Sequence, residues 1–197
     1  MNKNRLEAFS DGVLAIIVTI MVLELKVPHN AEWDNLSELM PKFLSYLFSF
    51  MMVWIYWNNH HHLFQIVKKV NGKVLLANGF LLFTISLQPF ATAWMGENHF
   101  ARNPVILMAL VLLLSAIAYT ILTFALIKLH GKNSVLSKAI ETSGDIKGKI
   151  STAAYVIAIP LAYVHAYISC GIFVFVAIMW LIPDKRIEKA LHEESGT

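Results

Sequence analysis

The first hydrophobic stretch of the chain begins with polar side chains whose types could support chemistry. Arg5, Ser10 and Asp11 stand immediately before an apolar run, residues 12–23. A charged group next to or inside such a helix is costly unless another polar group pairs with it. These side chains therefore predict a polar network that joins the first helix to its neighbours.

Candidate partners for this network lie in the second and third hydrophobic stretches. The second stretch ends with polar side chains that share one helical face: Trp54, Asn58, His61 and His62. Asn78 lies near the start of the third stretch. Because successive membrane helices alternate in direction, these groups are expected at the depth of Asp11. The network can be purely structural, since polar groups join helices in membranes, or it can relay protons through histidine.

The three consecutive histidines, residues 60–62, do not predict a metal site. Adjacent residues on a helix point about 100° apart, so the three rings cannot converge on one ion. No Cys, Asp or Glu within the helices stands at ligand spacing to complete a tetrahedral site. The helices also lack a Ser–His–Asp arrangement or paired carboxylates, and the chain has no nucleic-acid signature. We therefore expect no enzyme, no metal, no cofactor and no nucleic-acid partner.

A second pattern in the first helix is a stripe of residues at helical spacing. It consists of Ile16, Thr19, Ile20 and Leu23, with Glu24 just beyond its end. Such a stripe is most often a packing face. The alternative is a pore lining in a symmetric oligomer. Aliphatic rings can gate by dewetting, hydroxyl oxygens can replace part of an ion's hydration shell, and a ring of carboxylates attracts cations.

The composition indicates that the helices carrying these residues span a membrane. Of the 197 residues, 57% are hydrophobic and only 15% are charged, against about 25% charged in typical soluble domains. Three uncharged runs, residues 43–67, 74–96 and 103–127, exceed the roughly 20 helical residues that a bilayer span needs. Residues 150–183 suffice for two short spans with a break near residues 163–166, and the first apolar stretch gives the sixth. The predicted spans are residues 5–25, 43–66, 74–95, 103–127, 148–164 and 167–183.

The distribution of basic residues predicts the orientation, because lysine and arginine are enriched in cytoplasmic flanks. Of the 16 lysines and arginines, only Lys26, Lys42 and Arg102 fall on the side opposite the two termini when six spans are assumed. The sequence therefore predicts an all-α integral membrane protein. Residues 1–197 form a single six-helix domain, and both termini lie in the cytoplasm.

The first helix also carries a recognisable motif, Arg-x-x-x-Phe-Ser-Asp followed directly by an aliphatic span. Its members are Arg5, Phe9, Ser10 and Asp11. With this motif, the polar end of the second helix and six spans, the chain resembles the bacterial branch of the lysosomal-type potassium channels, the transmembrane protein 175 family. The resemblance covers essentially the whole chain. The Thr-Val-Gly-Tyr-Gly filter of other potassium channels does not occur.

The resemblance implies a multi-pass channel of the bacterial inner membrane that assembles as a homotetramer. It implies that the first helix of each subunit lines the pore, with the constriction at Ile16 and further pore-facing positions at Thr19, Ile20 and Leu23. Potassium and other monovalent cations are then permeant ions, and the lipid bilayer and further copies of the chain are partners. The alternative is a small proton-coupled secondary transporter with an Asp11–histidine network.

Overall fold

The computed structural model describes residues 3–28, 32–131, 134, 137 and 146–181, which form α-helices joined by short turns and loops. The helices are α1 (Lys3–Leu23), α2 (Trp33–Ser37), α3 (Met40–Ile66), α4 (Gly72–Ser86), α5 (Gln88–Glu97), α6 (Arg102–His130), α7 (Ile146–Val164) and α8 (Ala166–Leu181). These residues include no β-strand. The all-α class is thus confirmed for the described residues.

Among the described residues, three helical segments are long and apolar enough to cross a membrane, by length and composition. They are Lys3–Leu23, Gly72–Glu97 and Arg102–His130, and Ala166–Leu181 is a shorter apolar helix. The six spans therefore stay a prediction. The orientation also stays a prediction, because several basic residues on which it depends lie outside the described residues, in 132–133, 138–145 and 182–197.

Within the described ranges, two helix breaks are each only one residue long. Leu87 alone separates α4 from α5, and Pro89 lies in the first turn of α5. Proline lacks an N–H and clashes with the carbonyl group four residues earlier, so a continuous helix breaks or kinks there. The break expected near residues 163–166 falls at His165, which separates α7 from α8.

α6 forms the centre of the bundle. It packs against α4, α5, α7 and α8, and Val105, Leu112 and Leu126 are fully buried along its length. α3 packs against α5 and α8. The α3–α5 contact is close at Gly96, where an added Cβ would lie 2.8 Å from the Cα of Lys42.

α1 lies at the edge of this bundle and packs against α3, α4 and α5. Only 28% of its most apolar 18-residue window is buried, against 44% for α6. One side of α1 therefore has packing partners within the chain, while the other side is open.

Candidate functional site on the first helix

The open side of α1 contains the predicted stripe. The side that packs against the bundle consists of Leu6, Ser10, Leu14, Ile17 and Met21. On the opposite side, Ile16 is 59% exposed, Ile20 44% and Leu23 78%, and Thr19 is exposed as well. The stripe is therefore not a packing face within the subunit.

The open side continues beyond the stripe toward the N-terminus. At about 100° per residue, Arg5, Phe9 and Gly12 lie within about 40° of Ile16 around the helix axis. All three are exposed. Glu24 follows the other end of α1 and is also exposed. We call this surface, from Arg5 to Leu23, the open face of α1: it is apolar in its middle and flanked by opposite charges.

Thr19 is the polar group within the apolar part of the open face. Its hydroxyl donates a hydrogen bond to the backbone carbonyl of Ile16, at 2.8 Å. The hydroxyl proton is therefore used within the helix, and the oxygen keeps lone pairs that can accept. Such an oxygen is suited to a cation or to a water molecule that donates.

Behind the open face, a buried chain of hydrogen bonds connects α1, α4 and α3. The amide nitrogen of Asn78 donates to Ser10 Oγ at 3.0 Å, and Ser10 Oγ donates to the carbonyl of Leu6 at 2.8 Å. The amide oxygen of Asn78 lies 2.8 Å from His60 Nε2. Because the Asn78 oxygen can only accept, the His60 nitrogen is the donor. Ser10, Asn78 and His60 are 0%, 1% and 2% exposed, and we call them the buried anchor.

Asp11 makes a separate contact at the surface of the subunit. The indole N–H of Trp57 donates to Asp11 Oδ1 at 3.0 Å. Trp57 in turn stacks against His61, with ring centroids 5.6 Å apart. Asp11 is exposed in the single chain. This contact fixes α1 against α3 beside the buried anchor.

The other side chains predicted for the network lie outside the buried anchor. Trp54 is 53% exposed, and its ring contacts Trp57 at 5.1 Å. His61 and His62 contact Gln65 at 2.9 and 3.4 Å. Within the described residues, no side-chain hydrogen bond joins Arg5 or Asn58 to the anchor.

The network prediction selected a face of α3 that is rotated from the buried one. The buried face carries Val53, Tyr56, His60 and Phe64, spaced by three and four residues as a packed helical face requires. Trp54 and His61 each lie about 100° from the buried residue directly before them, Val53 and His60, and Asn58 lies about 160° from Tyr56, two residues earlier. His60 stands at helical spacing from the apolar residues Val53, Tyr56 and Phe64. This spacing is the sequence signal that distinguishes it from the two histidines that follow.

The polar groups of α1, α3 and α4 hydrogen-bond one another rather than surround a common centre. Among the described residues, no three His, Cys, Asp or Glu side chains are grouped as metal ligands would be. The Ser10 hydroxyl donates to a backbone carbonyl, not to a base. The geometry is that of a structural connection behind an exposed helix face.

A protein family model matches the part of the chain that builds this site. Residues 5–89 match the family described as endosomal/lysosomal potassium channel TMEM175. The matched segment includes the open face, the buried anchor and the Asp11–Trp57 contact.

Similarity to individual proteins extends over the whole chain. A protein named as a potassium channel from Chryseobacterium sp. (strain P1-3) is 57% identical over 193 residues, which cover 98% of this chain and 100% of that protein. Another from Streptomyces collinus, also named as a potassium channel, is 28% identical over 176 residues, 84% of this chain and 85% of that protein. A crystal structure of a lysosomal potassium-selective channel TMEM175 homologue from Chamaesiphon minutus has a TM-score of 0.79 and 30% identity, and the match covers 91% of this chain and 96% of that one.

Proposed function

The chain belongs to the transmembrane protein 175 (TMEM175) family, and from this membership we propose that it forms a potassium-permeable cation channel. The channel is a homotetramer in the bacterial inner membrane, with six spans per chain and both termini in the cytoplasm. An ion channel is not an enzyme class, which agrees with the lack of a catalytic arrangement in the sequence.

The observation that carries the proposal is the open face of α1. Exposed aliphatic side chains on a membrane helix can contact lipid as well as a pore. The open face, however, has Thr19 in its apolar middle, with the hydroxyl proton already donated within the helix. It also has Arg5 at one end and Glu24 beyond the other. Four such faces around one axis would form a narrow pore with polar ends.

In this arrangement Ile16, Ile20 and Leu23 form aliphatic rings, and Thr19 forms a ring of oxygens between them. An aliphatic ring raises the barrier for an ion because a narrow apolar passage sheds water. The threonine oxygens replace part of the lost hydration. Glu24 at the outer mouth raises the local concentration of cations, because carboxylates attract positive ions.

The buried anchor holds the open face toward the pore axis in this proposal. Ser10 lies on the side of α1 that packs against the bundle, and its bond to Asn78 sets the rotation of α1 about its own axis. The Asp11–Trp57 contact restrains the same end of α1 against α3. A fixed rotation matters because 100° of turn would replace one pore-facing residue by its neighbour.

The alternative, a proton-coupled secondary transporter, requires a relay of titratable groups. Asp11 accepts a hydrogen bond from an indole N–H. An indole does not give up this proton, so it cannot pass protons between a carboxylate and an imidazole. His60 bonds to the amide of Asn78. Asp11 and His60 thus have separate partners, and this arrangement favours the channel.

Ion flux into liposomes separates the two functions. We expect purified protein to pass potassium down an imposed potential, with no proton gradient present and at a rate proportional to the driving force. Protein-free liposomes give the background. Potassium movement that requires a fixed stoichiometry of protons would overturn the channel in favour of the transporter.

A further inference from the structure

Gln88 is a polar side chain sealed inside the protein at a helix break. It is the first residue of α5, directly after Leu87 and before Pro89, and it is 0% exposed. It lies within Gly72–Glu97, one of the segments apolar enough to cross a membrane. Glutamine is rarely buried in such surroundings without partners.

Neither polar atom of this side chain is satisfied by the part of the chain that the structure describes. Within the described residues, neither Nε2 nor Oε1 of Gln88 has a hydrogen-bond partner, and both atoms are enclosed. Thr92, one turn further along α5, donates its hydroxyl to Ser49. A buried amide costs free energy unless its donor and acceptor are both satisfied.

A neighbouring subunit cannot supply the missing partner. Gln88 is enclosed by its own chain, since it is 0% exposed in the single subunit, where α5 packs against α1, α3, α4 and α6. Partner subunits reach only groups that are exposed in the single chain. The partner must therefore be small enough to lie inside one subunit.

The break itself lacks one backbone donor. Proline has no N–H, so Pro89 cannot donate to the carbonyl of Ile85 as a residue in a continuous helix would, and the N–H of Leu87 is directed at that carbonyl instead. Freed backbone groups at breaks in membrane helices are commonly satisfied by ordered water. A buried water molecule requires two to four polar partners, and the Gln88 amide provides a donor and an acceptor at this point.

We propose that the break between α4 and α5 is a water-binding site, in which Gln88 holds ordered water inside each subunit. The site lies behind α1: Thr92, on the same face of α5, contacts Met21 on the packed side of α1. The water site concerns packing within the subunit, so it stands or falls independently of ion conduction.

The test is a structure of the native protein at a resolution that shows water, together with the thermal stability of Gln88→Met. We expect solvent density about 2.7–3.2 Å from Gln88 Nε2 or Oε1. Methionine has similar length and no hydrogen-bonding amide, so the bound water would lose its amide partners, and Tm would fall by about 3–8 °C. Gln65→Met is the matched control, because Gln65 is exposed, and its Tm should change little.

The opposite results overturn the proposal. If Gln88 has no bound water, the native structure shows no density beside its amide. Gln88→Met then raises Tm, because an unsatisfied amide has been replaced by an apolar group of similar size.

Discussion

Replacement of Ile16 with asparagine is expected to increase passive cation flux by about tenfold, equivalent to a barrier lower by roughly 1.4 kcal/mol. Ile16 is 59% exposed in the middle of the open face. A ring of asparagine amides would hydrogen-bond water where the aliphatic ring sheds it, so the passage would stay wet. Flux of potassium and of sodium into liposomes, measured separately, gives both the rate and any change in selectivity.

Ile157→Asn in α7 is the matched control for this substitution. Ile157 is 53% exposed in the single chain, so the two sites agree in residue type and nearly in exposure. A change in flux at Ile16 alone supports the pore assignment. If Ile16→Asn folds and conducts like the parent protein, Ile16 does not line the constriction.

Asn78→Leu is expected to lower the free energy of unfolding by about 2–5 kcal/mol. The substitution removes the acceptor for His60 Nε2 and the donor to Ser10 Oγ. Both groups are buried, and neither can bond to water when its partner is lost. The expected fall in Tm is on the order of 10 °C, measured on protein in detergent or in nanodiscs.

Asn58→Leu provides the comparison, since it makes the same substitution on α3, outside the buried anchor. Asn58 is partly exposed, and the described residues include no side-chain bond between it and the anchor. We expect a change in Tm of no more than a few degrees. Equal losses from the two substitutions would show that Asn78 has no special role in holding α1.

The sequence predicts which helices build this site better than it predicts which side chains bond to one another. Hydrophobic runs identify α1, and the helical period places Ile16, Thr19, Ile20 and Leu23 on one side of it. The spacing alone favours a packing face, and the exposure of that side is evident only from the structure. Ser10 and Asn78 were included in the predicted network. The predicted network does not include Trp57 and His60. The end of α3 has more polar side chains than its packing buries, and only the tertiary contacts show which of them are bonded.

The helix break beside Gln88 shows another limit. The proline indicates a kink in the third hydrophobic stretch. Nothing in the local sequence, however, indicates that the preceding glutamine is fully enclosed, because its burial depends on how α5 packs against helices distant in sequence. Sequence reasoning treats the segment as one span, whereas the structure divides it into α4 and α5.

The most direct test of the account is whether the open face of α1 meets the ion path. The chain has one cysteine, Cys170, so Cys170→Ala gives a cysteine-free background in which single cysteines can be placed. Ile20 and Val22 are both 44% exposed, but their side chains point about 200° apart around the helix. Ag⁺ is a small cation that binds thiolates, and it reaches a thiol only through water.

We predict that Ag⁺ stops potassium flux through the Ile20→Cys protein. It should leave flux through the Val22→Cys protein and through the cysteine-free parent unchanged. Block at Val22→Cys with unchanged flux at Ile20→Cys would contradict the account, because the pore would then be lined by a different face of α1.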